Sequence, residues 1–199
     1  MSGKRAAMSL VGNLLLGIGV AVFKFSAMGN DPYNGMNMAL ADRFGIPYPT
    51  VQILVNLVFF AVQLLWGRDL IGFGTLVNTF LLGYVVNAGY FALCRLFPAP
   101  HLFIIQVLVM LAGMLILCLG LSFYQTSEMG TSPYDSFSLI LTRKLEKAPY
   151  FWCRIFGDAA CALVCFLAGG LVGLGTLVSA FCLGPVIAFF DRTVSRKLV

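Results

Sequence analysis

The chain alternates long apolar stretches with short polar segments rich in glycine, proline and charge. A bilayer core about 30 Å thick requires about 20 apolar residues in a crossing helix. Six stretches reach that length, so the pattern predicts six membrane-spanning helices. They lie at residues 8–28, 49–66, 70–93, 102–124, 150–168 and 171–190.

Two shorter helices are predicted after the first and fourth spans, at 32–44 and 133–145. Each follows a residue suited to an N-cap, Asp31 or Ser132, and has proline at its first position. Ser132 and Asp135 also have the spacing of a capping box. Such a helix is about 20 Å long, too short to cross the bilayer. Apolar residues recur on one face of each helix, at Tyr33, Met36, Leu40 and Phe44 and at Tyr134, Phe137, Leu141 and Leu145.

The short helices belong to a duplicated segment. Ser26–Gly45 returns 101 residues later as Ser127–Glu146, with Ser-x-Met-Gly-x-x-Pro-Tyr in both copies. The block Gly-x-Gly-Thr-Leu-Val, which begins at Gly72, recurs at Gly173 with the same offset. An apolar composition alone does not bring prolines and glycines into register, so the chain contains two copies of one unit.

We predict two repeat units, 1–97 and 98–199, each with three spans and one short helix. Because three is odd, the second unit enters the membrane from the opposite side, which gives an inverted-topology repeat. With both termini cytoplasmic, three basic residues lie outside: Lys24, Arg43 and Arg95. Ten lie inside, in accord with the positive-inside rule: Lys4, Arg5, Arg68, Arg143, Lys144, Lys147, Arg154, Arg192, Arg196 and Lys197.

Composition supports the same class of protein. Hydrophobic residues make up 60% of the chain and charged residues only 11%, against about 25% charged in soluble domains. The sequence therefore predicts an all-α, polytopic membrane protein. The net charge of +5 does not indicate nucleic acid binding, because the basic residues lie at the ends of apolar spans. We expect membrane lipids as partners and no nucleic acid, and the sequence leaves a homo-oligomer open.

The starts of the short helices are the first candidate binding elements. If each helix re-enters the membrane, its free N–H groups and partial positive charge face a polar or anionic solute. An amphipathic helix lying flat at the interface is the alternative, and the sequence leaves both open. Asn34 and Asp135 occupy matching positions and are the expected solute-binding side chains. The helix-start motif comprises Gly29, Asp31, Pro32, Tyr33, Gly130, Ser132, Pro133 and Tyr134.

The duplicated Gly-x-Gly-Thr blocks open the third and sixth spans. They lack the lysine of a phosphate-binding loop and the third glycine of a dinucleotide fingerprint. Close helix packing is their predicted role, and Asn78 and Ser179, one turn further on, could line a cavity. The packing motif comprises Gly72, Gly74, Thr75, Gly173, Gly175 and Thr176.

Polar residues inside the spans are further candidates, because lipid offers them no hydrogen-bond partner. Asp158 lies near the middle of the fifth span, and Asn56 is expected at a related depth in the second. Asp158 either couples a proton or cation or forms a structural pair with Arg154, one turn earlier. Weaker candidates are Lys24, Gln52, Gln63 and Gln106.

The sequence offers no constellation typical of catalysis. The only histidine is His101, and no paired-acid or cysteine–histidine motif accompanies it. The six cysteines lie in or beside apolar spans, where they are expected to pack as small apolar residues. We therefore predict a protein that is not an enzyme and that has no catalytic residue, metal site or cofactor.

The Met-Gly-x-x-Pro-Tyr element, followed by Gly-x-Gly-Thr-Leu-x-Asn, resembles the YczE/YitT-type family of bacterial integral membrane proteins. Those proteins have a similar Leu-Gly-x-x-Pro-[Trp/Tyr] loop after the first span and a Gly-x-Gly-Thr block before a later one. The resemblance implies a multi-span protein of the bacterial inner membrane. It supplies neither a substrate nor site residues.

The leading hypothesis is a small secondary transporter or channel-like permease for a small polar or anionic solute. Alternating access would use the two inverted repeats, with the site near the bilayer midplane. One alternative is a substrate-binding membrane subunit of a larger importer, and another is a membrane scaffold or regulator that does not transport. The predicted solute site comprises Asn34, Asp135, Asn56, Asn78 and Asp158.

Overall fold

The computed structural model describes residues 3–145 and 150–197, and every regular element within them is helical. Lys147 and Pro149, which entered the predicted charge pattern and chain break, lie outside the described residues. The α-helices are α1 (Gly3–Phe25), α2 (Pro32–Phe44), α3 (Tyr48–Trp66), α4 (Phe73–Leu96), α5 (Phe103–Thr126), α6 (Pro133–Lys144), α7 (Tyr150–Leu167) and α8 (Leu174–Thr193).

Six of these helices, α1, α3, α4, α5, α7 and α8, are long and apolar enough to cross a membrane, which confirms that the six predicted segments form helices of spanning length. Several boundaries differ from the prediction by a few residues, and two of them have a clear structural reason. The first helix ends at Phe25 because the Ser26 hydroxyl donates to the Phe23 carbonyl and accepts from the Met28 amide. The third span begins at Phe73 because a 3₁₀ turn occupies residues 68–70.

Large apolar side chains cover the outer surface of the long helices, and Phe91 and Phe166 are examples of exposed aromatic rings. So extensive an apolar exterior is unfavourable in water and is stable in contact with lipid tails. The fold therefore agrees with the composition in identifying a membrane protein.

Helices α1 and α5 pack closely against each other, with α4 beside α1 and α8 beside α5. Glycines at matching positions allow the close approach. A Cβ atom on Gly12 would lie 2.5 Å from the Tyr124 nitrogen, and one on Gly113 would lie 2.5 Å from the Phe23 nitrogen. Both partners in the second contact lie 101 positions from those in the first, with the helices exchanged.

Helices α2 and α6 are enclosed by α3 and α7. On α2, the apolar face predicted from residue spacing makes up only part of the surface that the neighbouring helices bury. Phe44 of that face is 66% exposed, whereas Asn37, on another face, is completely buried. The reason is that neighbouring helices surround the first turns of α2, while its last residues project beyond them.

Candidate functional site

Side chains cap the starts of both short helices. The Asp31 carboxylate accepts two hydrogen bonds from Asn34, one from its backbone N–H at 3.1 Å and one from its side-chain amide at 2.9 Å. At α6 the Ser132 hydroxyl accepts the Asp135 N–H at 3.1 Å. Each of these caps uses an N–H group that a solute would otherwise meet.

The reciprocal half of the predicted capping box is not formed. The Asp135 carboxylate accepts hydrogen bonds from the hydroxyls of Ser132 and Tyr124 and forms an ion pair with Arg154, with 2.5 Å between charged atoms. The Ser132 backbone N–H lies 3.4 Å from the Tyr124 hydroxyl instead. The charge of Arg154 draws the carboxylate towards α7, away from the Ser132 amide.

The two duplicated motifs contact each other, each reaching the other half of the chain. The Gly74 amide donates to the Met129 carbonyl at 2.7 Å, and the Gly175 amide donates to the Met28 carbonyl at 2.8 Å. These are the same hydrogen bond at equivalent positions of the two copies. The sequence pattern indicates two separate elements, whereas in the structure each Met-Gly turn lies on the Gly-x-Gly-Thr block of the other copy.

The docking leaves no room for side chains at the first glycine of each block. A Cβ on Gly72 would lie 2.2 Å from the Met129 carbonyl oxygen, and one on Gly173 would lie 2.4 Å from the Met28 carbonyl oxygen. The Thr75 hydroxyl adds a 2.8 Å hydrogen bond to the Thr131 carbonyl, and Thr176 is buried against Gly29. Gly29 and Gly130 both have left-handed backbone conformations, with φ of 99° and 98°, which glycine adopts without strain.

The motif tyrosines stack on each other where the two copies meet. The rings of Tyr33 and Tyr134 lie 4.4 Å apart at an interplanar angle of 17°. The Tyr33 hydroxyl donates to Asn56 at 2.7 Å, and the Tyr134 hydroxyl donates to Asp158 at 2.5 Å. Asn56 and Asp158 therefore hold equivalent tyrosines, one in each copy.

Arg154 forms ion pairs with two carboxylates beside this stack. Besides Asp135, it pairs with Asp158, whose carboxylate lies 3.5 Å from the Arg154 Nε. Its side chain is only 19% exposed, and the two carboxylate side chains are 6% and 5% exposed. Arg154 is thus a largely buried site residue and does not count as a loop charge in the predicted topology. Its spacing of four residues from Asp158 was the sequence signal for the pair.

A small pocket of about 40 Å³ lies between the starts of α2 and α6. We call it the central pocket, and a space of this size holds about three water molecules. Asn34, Asn78 and Asp135 of the predicted site line it, whereas Asn56 and Asp158 lie behind the tyrosines. Its other lining residues are Leu16, Asp31, Tyr33, Leu82, Leu117, Leu121, Ser132, Tyr134, Arg154 and Leu183.

Three residues that sequence reasoning missed hold the lining in place. The Tyr48 hydroxyl donates to Asn34 at 2.7 Å, and Asn13 accepts from Asn78 at 2.9 Å. Tyr124, described above, holds Asp135. Their equivalents, 101 positions away, are Pro149, Met114 and Phe23. Because the duplication does not preserve these side chains, it gave no signal for them.

A larger cavity of about 490 Å³ lies between α7 and α8. We call it the α7/α8 cavity. Arg154 and Leu183 line both this cavity and the central pocket, so these two side chains separate the two spaces. The cavity extends to Gln125 and Asp191, near the ends of α5 and α8, and Asp158 forms part of its wall.

Two of the weaker candidates lie apart from both spaces. The Lys24 ammonium group lies 4.4 Å from the centre of the Tyr90 ring, and Gln106 donates to the Pro100 carbonyl at 3.0 Å. Ser179 is buried and donates to the Thr176 carbonyl, and it does not line the central pocket.

Comparison with known proteins identifies relatives over most of the chain. An uncharacterized protein of Haemophilus influenzae is 24% identical over 184 residues, which cover 92% of this chain and 81% of that protein. The uncharacterized membrane protein YczE of Bacillus subtilis is 24% identical over 179 residues, covering 89% and 81%. The uncharacterized protein YyaS of Bacillus subtilis is 21% identical over 192 residues, covering 95% and 93%.

The match to YczE confirms the resemblance found from the motifs. No solved structure matches the chain. The family model described as "Family of unknown function (DUF6198)" matches residues 3–192. The chain belongs to that family.

Proposed function

We propose that the protein is a small secondary transporter that moves a small polar solute across the bacterial inner membrane by alternating access. The observation that carries this proposal is the central pocket, where the starts of two duplicated helices meet. The pocket is small, is lined by charged, amide and hydroxyl side chains together with leucines, and is separated by two side chains from a cavity large enough for a small solute. A transporter that works by alternating access needs a conformation in which only a few side chains separate its solute site from one face of the membrane.

The proposed architecture is a 3+3 inverted repeat of units 1–97 and 98–199, with both termini cytoplasmic. The paired contacts support it, because a two-fold relation makes each contact occur twice. The Gly74–Met129 and Gly175–Met28 hydrogen bonds are one such pair. With Arg154 set aside as a buried charge, the remaining basic residues still favour the same orientation.

We propose that α2 and α6 are re-entrant helices. Their first turns are buried among α3 and α7, whereas a helix lying flat at the interface keeps one polar face in water. The buried Asn37 and the central position of Tyr33 and Tyr134 support the re-entrant arrangement over the interfacial one.

The lining favours a neutral polar or cationic solute over an anionic one. Side chains already bond N–H groups at both helix starts, which weakens the expected attraction for an anion. Three carboxylates, Asp31, Asp135 and Asp158, lie at or beside the pocket with one guanidinium, Arg154. An anion would add a further negative charge to a site of low dielectric constant.

Uptake into proteoliposomes tests the proposal. We expect the wild-type protein to take up at least one member of a panel of small neutral, cationic and anionic solutes. Asp135→Asn and Asp158→Asn each remove a charge beside the pocket, so the initial rate should fall by about tenfold or more, the scale of a lost charge-assisted hydrogen bond. The matched control is Asp69→Asn, because Asp69 pairs with Arg143 on the surface and is 60% exposed.

The control should transport at the wild-type rate. Absence of uptake across the whole panel would argue against a transporter. Equal rates in all three variants would remove Asp135 and Asp158 from the proposed site.

A further inference from the structure

The two copies differ in how the third and fourth helices of each unit pack. Gly184 on α8 lines the α7/α8 cavity. Apart from its own chain neighbours and nearby helix backbone, no atom of the described residues lies within 4 Å of its Cβ position. The equivalent residue on α4 is Gly83, which is tightly covered. A Cβ there would lie 2.5 Å from the Gln52 side-chain oxygen and 2.8 Å from the Pro49 Cα. The α3/α4 pair is therefore closed where the α7/α8 pair is open.

The closed contact buries a polar side chain without a partner. Gln52 is completely buried, and neither its oxygen nor its nitrogen forms a hydrogen bond within the described part of the chain. Two more fully buried residues on α3, Asn56 and Gln63, each have one polar atom that finds no partner among residues 3–145 and 150–197. Positions 52, 56 and 63 are spaced i, i+4 and i+11, so they share one face of the helix. An unpartnered polar group destabilises a protein in the membrane interior. The cost is lower if water or another polar group forms a hydrogen bond with it in a second conformation of the protein.

The polar face leads to the central pocket. Asn56 accepts a hydrogen bond from the hydroxyl of Tyr33, which lines the pocket. On the α7 side, Asp158 accepts the equivalent hydrogen bond from the Tyr134 hydroxyl. Leu82, equivalent to Leu183, also lines the pocket. Leu183 and Asp158 thus have counterparts on the α3/α4 side in Leu82 and Asn56. Arg154 has none, because the equivalent residue is the apolar Ile53.

We propose that α3 and α4 separate in a second conformation and form a water-filled vestibule, the counterpart of the α7/α8 cavity at the opposite face of the membrane. Gln52 lines this vestibule and offers its amide to water and to a hydrogen-bonding solute on its way to the pocket. The inference rests on the proposed transport function and adds the route and the residue that serve the outer face.

Cysteine accessibility in right-side-out membrane vesicles tests this inference without a known solute. The six native cysteines are replaced by serine, and Gln52→Cys or Pro49→Cys is introduced into that background. The probe is the membrane-impermeant cation methanethiosulfonate ethyltrimethylammonium, added outside. The matched control retains only Cys118, which is completely buried in the apolar core.

We expect both introduced cysteines to react, at about 0.1–10% of the rate of a fully exposed site, as for a minor conformation. The Cys118-only protein should stay unlabelled. Using two positions guards against one variant that fails to fold, and monodisperse elution in detergent serves as the folding check.

Protection of both cysteines in folded protein overturns the inference. A cysteine at Leu82 separates this failure from failure of the proposed function. If Leu82→Cys reacts from both faces while positions 49 and 52 stay protected, the solute reaches the pocket from the outer face by a route other than the gap between α3 and α4. If Leu82→Cys is also protected from outside, the transport proposal itself fails.

Discussion

Replacing Arg154 with leucine is expected to destabilise the protein by about 3–5 kcal/mol, the range for removing one partner of a buried ion group. The substitution leaves the carboxylates of Asp135 and Asp158 buried without a compensating charge. It also removes a cation beside the Tyr134 ring, 5.2 Å from the ring centre. Chemical unfolding of the protein in detergent, followed by circular dichroism, measures the change in free energy.

The control is Arg143→Leu, because Arg143 also pairs with an aspartate but is 53% exposed. A surface pair contributes about 0–1 kcal/mol, so this variant should unfold near the wild-type midpoint. Adding Asp135→Asn and Asp158→Asn to Arg154→Leu should recover part of the loss, since no unpaired charge then remains buried. Equal effects of the two arginine substitutions would show that Arg154 is not the buried centre of the ion group.

Replacing Gly72 with alanine is expected to cost more than the usual 1–3 kcal/mol or so of an overpacked core. The added Cβ would lie 2.2 Å from the Met129 carbonyl oxygen. Backbone atoms cannot rotate out of the way, so the Met-Gly turn must move and its hydrogen bond to Gly74 must lengthen or break. Folded yield in the membrane and thermal unfolding in detergent both report the loss.

Gly35→Ala is the matched control, because this glycine lies in the duplicated segment, within α2, and the nearest atom to its Cβ position is the Cys165 sulfur at an ordinary 3.7 Å. We expect it to be neutral or slightly stabilising, since alanine favours a helix. Gly173→Ala should behave like Gly72→Ala, as its Cβ would meet the Met28 carbonyl oxygen at 2.4 Å. If Gly72→Ala and Gly35→Ala unfold alike, the reciprocal docking of the two motifs is wrong.

The helices could be predicted from the sequence because their signals are local. Apolar runs of sufficient length identified the six spans, and a capping residue followed by proline located the start of each short helix. Pro32 and Pro133 are the first residues of α2 and α6, as predicted. The duplication also indicated which positions correspond, since one offset aligned both motifs.

The contacts between helices could not be predicted, because spacing along one helix does not specify its neighbours. Nothing in the sequence indicated that the Met-Gly turn lies on the Gly-x-Gly-Thr block of the other copy. Arg154 was counted among the cytoplasmic charges because it lies near the start of a span. Its burial depends on Asp135, which comes from a different helix.

Accessibility of two equivalent pocket residues, Leu82 and Leu183, tests the central claim most directly. Both side chains are buried at the central pocket, and each is replaced by cysteine in the cysteine-free protein. Impermeant thiol reagent is added to right-side-out and to inside-out vesicles in separate reactions. Alternating access predicts that each cysteine reacts from both faces of the membrane. Reaction from one face only, or from neither, would contradict a solute site that opens first to one face of the membrane and then to the other.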